Sequence, residues 1–90
     1  MAVAAEDFIA GLLSAYEEAT GEKPFKIAGD MDIAVSNYYR YRNGAGDPTA
    51  RTVNKIMAVI QVNRPEVIIE TAEWYLRQLK KEEVICIILK

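Results

Sequence analysis

Few side chains in this chain of 90 residues are suited to acid–base, nucleophilic or metal chemistry. There is no histidine, and the single cysteine, Cys86, lies in an apolar run where we expect it to pack as a small hydrophobe. The glutamates at 17–18 and 82–83 are adjacent on expected helices, so the members of each pair point to different faces. A cap and a turn explain Asp30 and Asp32, and no other acid is spaced to complete a metal site. We therefore expect no enzyme activity, no cofactor and no metal.

A different chemistry is concentrated in the stretch IAGDMDIAVSNYYRYRNG, residues 27–44. It holds three tyrosines and two arginines in a chain whose net charge is −2. Guanidinium and amide groups can make paired hydrogen bonds to planar partners, so the stretch is a candidate binding surface. The alternative is a small helical core of tyrosines with arginines that are simply solvated.

The composition predicts one folded domain over residues 1–90. Hydrophobic residues make up 51% of the chain, which argues against disorder, and a lone cysteine fits a reducing cytoplasm. The start resembles no secretion signal, and the longest apolar run, 84–89, is far too short to span a bilayer. We expect a cytoplasmic protein without membrane contact.

The charge is unevenly distributed along the chain. Residues 1–22 carry five acids and no base, whereas residues 23–64 carry seven bases and three acids. The candidate binding stretch therefore lies in the basic middle of an acidic chain, which favours an anionic partner for that part.

Helical spacing of apolar residues predicts the elements that position this stretch. The first helix is expected over about 5–20 and ends at Gly21. A short second helix begins at Pro24 and ends near residue 30 or 31, and Asp32 is expected to take a positive φ in the turn. The third helix is expected over about 34–43.

The segment NGAGDP, residues 43–48, is the clearest loop. Asp47 is predicted to cap the fourth helix with Pro48 at its first position, ahead of an apolar stripe that includes Ile56 and Ile60. Asn63-Arg64-Pro65 opens a fifth helix. The final VICIILK is compatible either with a short strand or with a helical extension.

The motif over residues 24–44 resembles that of Cro/repressor-type helix-turn-helix DNA-binding proteins of phage and mobile elements. Ile27-Ala28 match the family's large and small pair in the first motif helix, and Met31 and Ile33 match its apolar positions around the turn. Tyr38 and Tyr41 match the two core residues of the second helix, and YRNG and IQVNRPEVI resemble the segments that follow. The resemblance covers about residues 5–76 and implies an all-α, five-helix, lambda-repressor-like domain.

The resemblance also implies a sequence-specific regulator of transcription that binds double-stranded DNA at a phage or mobile-element operator and represses it as a homodimer. The second motif helix is the element that such domains lay in the major groove. The residues expected to read bases are Val35, Ser36, Tyr39, Arg40 and Asn43. The residues expected to contact phosphate are Lys23, Lys26, Arg42, Arg51 and Lys55.

Two alternatives stay open. The acidic first helix, together with Asp30 and Asp32, favours a helix-turn-helix derivative that binds a protein, as an inhibitor or adaptor in phage–host conflict or as an antitoxin.

The fifth helix has more apolar residues than one small core can cover, so residues 74–90 are expected to form a dimer interface. The residues predicted for that interface are Trp74, Leu79, Val84, Ile85, Ile87 and Leu89. Ordinary core packing is the alternative.

Overall fold

The computed structural model describes the backbone of residues 5–89 and the side chains of residues 8–79. The described chain contains five α-helices: α1 Ala5–Thr20, α2 Pro24–Asp30, α3 Val35–Arg42, α4 Ala50–Asn63 and α5 Pro65–Leu89. The predictions of an all-α chain and of five helices are confirmed. Over the described backbone there is no strand, and the apolar run near the C-terminus continues α5.

Left-handed residues end two of the helical segments as expected. Gly21 follows α1 with φ of 68°, and its amide donates to the carbonyl of Glu17 at 2.8 Å. Asp32 follows α2 with φ of 56°, a conformation that short polar side chains tolerate better than others do. The chain can therefore reverse direction within a few residues after each helix.

The predicted start of α4 at Asp47 and Pro48 is wrong. The cap is Thr49, whose hydroxyl accepts a hydrogen bond from the amide of Thr52 at 3.2 Å. The loop before it turns through two left-handed glycines, at 44 and 46, and Thr49 itself has an extended backbone. The cap hydrogen bond in the first turn of α4 is thus made from Thr49, two residues after Asp47.

The core lies between α1 and the other four helices. Its buried apolar members come from every helix: Ile9, Leu12, Leu13, Tyr16, Ile27, Ala28, Met31, Tyr38, Ile56, Ile60 and Val67. Met31 belongs to the turn after α2. Complete burial of one large aliphatic side chain contributes about 1.5–3 kcal/mol, so this cluster is the main source of stability.

Polar and aromatic contacts position α1 against α4 and α5. The side-chain Nδ2 of Asn63 donates to the Tyr16 hydroxyl at 3.2 Å, and this hydrogen bond connects the end of α4 to α1. The rings of Phe8 and Tyr75 meet edge-on with centroids 5.3 Å apart. Within the described part of the chain, no helix is both long and apolar enough to cross a membrane.

Candidate nucleic-acid interface

The two short helices α2 and α3 meet through a four-residue connection, 31–34. Ala28 is completely buried where they approach each other, and its carbonyl accepts from the amide of Ile33 at 2.9 Å. A small residue at this position leaves room for the second helix, and Met31 fills the space beneath the turn. The orientation of α3 is thus determined by packing and by backbone hydrogen bonds.

The inner face of α3 is held by its tyrosines. The Tyr38 ring is completely buried, and its hydroxyl donates to Glu17 Oε2 at 2.7 Å. Burial, and then the hydrogen bond to Glu17, raise the pKa of the Tyr38 hydroxyl far above its ordinary value. Tyr41 is half-buried against the core. Tyr38 and Tyr41 therefore pack toward the core, as the resemblance implied.

The outer face of α3 is open to solvent. Val35 and Tyr39 are 37% and 41% exposed, and Ser36, Arg40 and Asn43 are exposed as well. Positions 35, 36, 39, 40 and 43 lie on one helical face, so the structure places all the predicted base-reading residues together. Within residues 8–79, Arg40 makes no ion pair and keeps its hydrogen-bond donors available.

A partly buried ion pair holds the end of α3 against α1. Arg42 Nε lies 2.7 Å from Glu17 Oε2, the same oxygen that accepts from Tyr38. The contact is ionic rather than a well-aligned hydrogen bond, since the buried Nε has no hydrogen-bond partner. Sequence reasoning missed Glu17, because nothing in a helical pattern shows that an acid on α1 will face α3.

Two of the predicted phosphate-contacting lysines are also ion-paired. Lys26 Nζ lies 3.1 Å from Glu22 Oε1 and 3.0 Å from Asp30 Oδ2. Both hydrogen bonds raise the pKa of the lysine, and the one to Asp30 has the larger effect. Lys55 Nζ contacts Asp32 at both its carboxylate, 3.1 Å, and its carbonyl, 3.2 Å. These exposed pairs reduce the local positive charge but contribute little stability.

The remaining predicted phosphate contacts, Lys23 and Arg51, are exposed and make no ion pair within the described residues. Arg51 lies in the first turn of α4. Gly46, in the loop before α4, lies close to the end of α3: a Cβ there would be 3.3 Å from the Tyr41 ring and 3.4 Å from Arg40 Nη2. The loop therefore packs beside the outer face.

The predicted dimer residues are only partly described. Trp74 packs against α1 beside Gly11 and is 38% exposed, and Leu79 is half-buried. The side chains of Val84, Ile85, Ile87 and Leu89 lie outside the described residues. Two further apolar residues of α5 are exposed: Ile69, which precedes the predicted dimer segment, is 59% exposed, and Leu76, within that segment, is 60% exposed.

Among the described residues, no group of three or more acidic, cysteine or histidine side chains could hold a metal ion. Comparisons of the chain with protein-family models, with curated proteins and with solved structures find no match.

Proposed function

We propose that this chain is a helix-turn-helix regulator of transcription that binds double-stranded DNA, with α3 as its reading helix in the major groove. The observation that carries the proposal is the solvent-exposed outer face of α3, with Arg40 and Asn43 on it. A guanidinium pairs with the two acceptors of guanine and an amide with adenine. The buried Tyr38 gives this face a rigid base, as a reading helix requires.

The surrounding charge supports the same proposal in part. Lys23 and Arg51 can neutralise phosphates directly, because no acid of the described chain competes for them. Lys26, Arg42 and Lys55 must exchange a carboxylate for a phosphate. Since the exposed Lys26 and Lys55 pairs are weak, that exchange costs little for the lysines and more for Arg42, which is partly buried.

A homodimer is part of the proposal. Ile69 and Leu76 are seven residues apart, so they lie on nearly the same line along the outer face of α5. A two-fold dimer that reads DNA requires its two reading helices in successive major grooves, about 34 Å apart, and we propose this line as its contact. Exposed isoleucine and leucine on one line are typical of a partner surface.

The test is selection of duplexes from a random pool at near-physiological salt, followed by affinity measurements on the enriched sequence and on random DNA. We expect a palindrome, and Arg40→Ala should lose about 1–3 kcal/mol on the enriched sequence only. Arg51→Ala should weaken both DNAs alike and lower the salt slope by about one. Arg77→Ala removes the same charge from an exposed position of α5 and serves as the control.

The dimer is tested separately by sedimentation equilibrium. Leu76→Glu should produce a monomer, whereas Val62→Glu places the same charge at a more exposed apolar position on α4 and should leave the association unchanged. Equal effects of the two changes would refute the α5 interface. Equal losses for Arg40→Ala and Arg77→Ala, or a pool with no enriched sequence, would refute the reading helix.

One observation favours a second function, the binding of a protein by the same surface. Three cations around α3 already pair with acids of the chain, which weakens the field that attracts DNA. Phe25 on α2 is 75% exposed, an unusual feature for a phosphate-contacting surface. If the surface binds a protein instead, the random pool of duplexes would yield no enriched sequence. Phe25→Ser would then abolish binding of the partner protein without affecting the helical circular dichroism.

A further inference from the structure

A cleft between α1 and α5, separate from the outer face of α3, has the features of a second binding site. Its volume is about 360 Å³. Gly11, Ser14, Ala15 and Glu18 line it from α1, at positions that share one helical face, and Glu70, Thr71 and Trp74 line it from α5. Three small residues on this face of α1, at positions 11, 14 and 15, explain why the helices leave a gap there.

The indole of Trp74 forms one wall of this cleft. Its ring lies over Gly11, where an added Cβ would be in van der Waals contact with Trp74 Cζ3, at 3.5 Å. The side chain nevertheless stays 38% exposed, so part of the ring remains available to a ligand. An aromatic face that is supported on one side and open on the other is a platform on which a planar or cationic group can stack.

The polar groups of the cleft lack partners in the described chain. Glu18 and Glu70 are exposed and form no ion pair there, in contrast to Glu17, whose carboxylate is used by α3. Thr71 is only 6% exposed, and its hydroxyl makes no hydrogen bond within residues 8–79. The hydroxyl therefore stays available to a donor or acceptor that enters the cleft, where Thr71 is part of the lining.

We propose that the cleft binds an arginine side chain of a basic partner protein, which stacks on Trp74 and pairs with Glu18 and Glu70. A guanidinium is flat, weakly hydrated and able to donate to two carboxylates, which a lysine ammonium matches less well. The charge is complementary, because residues 1–22 contain no basic residue. The volume lies at the lower end of ligand pockets and suits one long side chain.

We assign the cleft to a partner protein because it does not overlap the line of α5 that is proposed for the dimer. Trp74 is five residues from Ile69, which corresponds to about 140° around α5 at 3.6 residues per turn. The outer line of α5 and the cleft can therefore be occupied at the same time. The proposal does not depend on DNA binding.

Trp74 is the only tryptophan, so its fluorescence reports directly on the cleft. The probes are three synthetic alanine-based peptides that are identical except for arginine, lysine or citrulline at one central position. We expect a saturable change with the arginine peptide and at least about tenfold weaker binding of the citrulline peptide, which keeps the shape but loses the charge. Lysine should be intermediate.

The matched variants are E18Q/E70Q and E73Q, all of which should keep the circular dichroism of the parent. The double variant removes both cleft carboxylates and should weaken the arginine peptide at least about tenfold. E73Q removes an exposed carboxylate of α5 outside the cleft and should have no effect. Equal binding of arginine and citrulline, an unaffected double variant or no saturation at about 1 mM peptide would overturn the proposal. A fluorescence change on dilution of the Leu76→Glu variant without peptide would also overturn it, in favour of self-association through the cleft.

Discussion

Glu17 is expected to stabilise the orientation of α3 through two different partners, and Glu17→Gln tests this directly. The change keeps the size of the side chain and removes its charge. The carboxylate is only 14% exposed and serves both Tyr38 and Arg42, each at 2.7 Å. Loss of charge on one side therefore weakens two contacts between α1 and α3.

The magnitude follows from burial. Breaking a fully buried ion pair costs about 3–5 kcal/mol, but an exposed pair contributes about 0–1 kcal/mol. Arg42 is 37% exposed, so its contact belongs nearer the lower range. A hydrogen bond to a charged group contributes about 1.5–3 kcal/mol, and the glutamine oxygen can still accept from Tyr38. We expect Glu17→Gln to lower the free energy of unfolding by about 1–2 kcal/mol.

Urea denaturation followed by far-ultraviolet circular dichroism measures this free energy, with an unchanged m-value as the sign that only stability changed. Glu18→Gln is the matched control, since it lies next on α1, is exposed and has no ion pair among the described residues. In a double-mutant cycle, Glu17→Gln should cost at least about 0.5 kcal/mol less once Tyr38 is phenylalanine. Equal effects at 17 and 18, or strict additivity with Tyr38→Phe, would refute the shared contact.

Three further predictions concern stability. Because the pKa of the Tyr38 hydroxyl is raised, its contribution to the free energy of unfolding is complete below pH ~10 and is lost as the pH rises further. The slope of this loss is at most about 1.4 kcal/mol per pH unit, and Tyr38→Phe should remove it. Thr49→Ala should cost about 1 kcal/mol, whereas Asp47→Ala should stay within about 0.5 kcal/mol. Gly46→Ala should cost about 1–2 kcal/mol because of its positive φ and crowding, whereas Gly29→Ala, in open space on α2, should stabilise by about 0.5 kcal/mol.

Each of these comparisons has an outcome that contradicts it. Identical alkaline unfolding of the parent and the phenylalanine variant would show that Tyr38 ionises as easily in the folded state as in the unfolded state. A larger loss of stability for Asp47→Ala than for Thr49→Ala would show that Asp47, as the sequence predicted, caps α4. If Gly46→Ala and Gly29→Ala changed the free energy of unfolding equally, the positive φ of Gly46 would not affect stability as we expect. Thermal and urea unfolding are sufficient for all of them.

Local signals in the sequence were sufficient for most of the helices. The apolar spacing and Gly21 gave the limits of α1, and Pro24 and Asp32 gave those of α2, because each acts through the conformation of its own backbone. The start of α4 was misplaced by two residues, since Asp47 and Thr49 are both plausible caps in isolation. The geometry of the preceding glycine loop decided between them.

The sequence by itself therefore determined the five helices and the separation of α3 into a tyrosine face and an exposed face, because helical period and side-chain polarity are local properties. Only the tertiary structure decided which charges are free. Glu17 meets Arg42, and Asp32 meets Lys55, across gaps of more than twenty residues that no periodicity encodes. The cleft beside Trp74 likewise exists only once α1 and α5 pack together, since its walls lie on helices far apart in the chain.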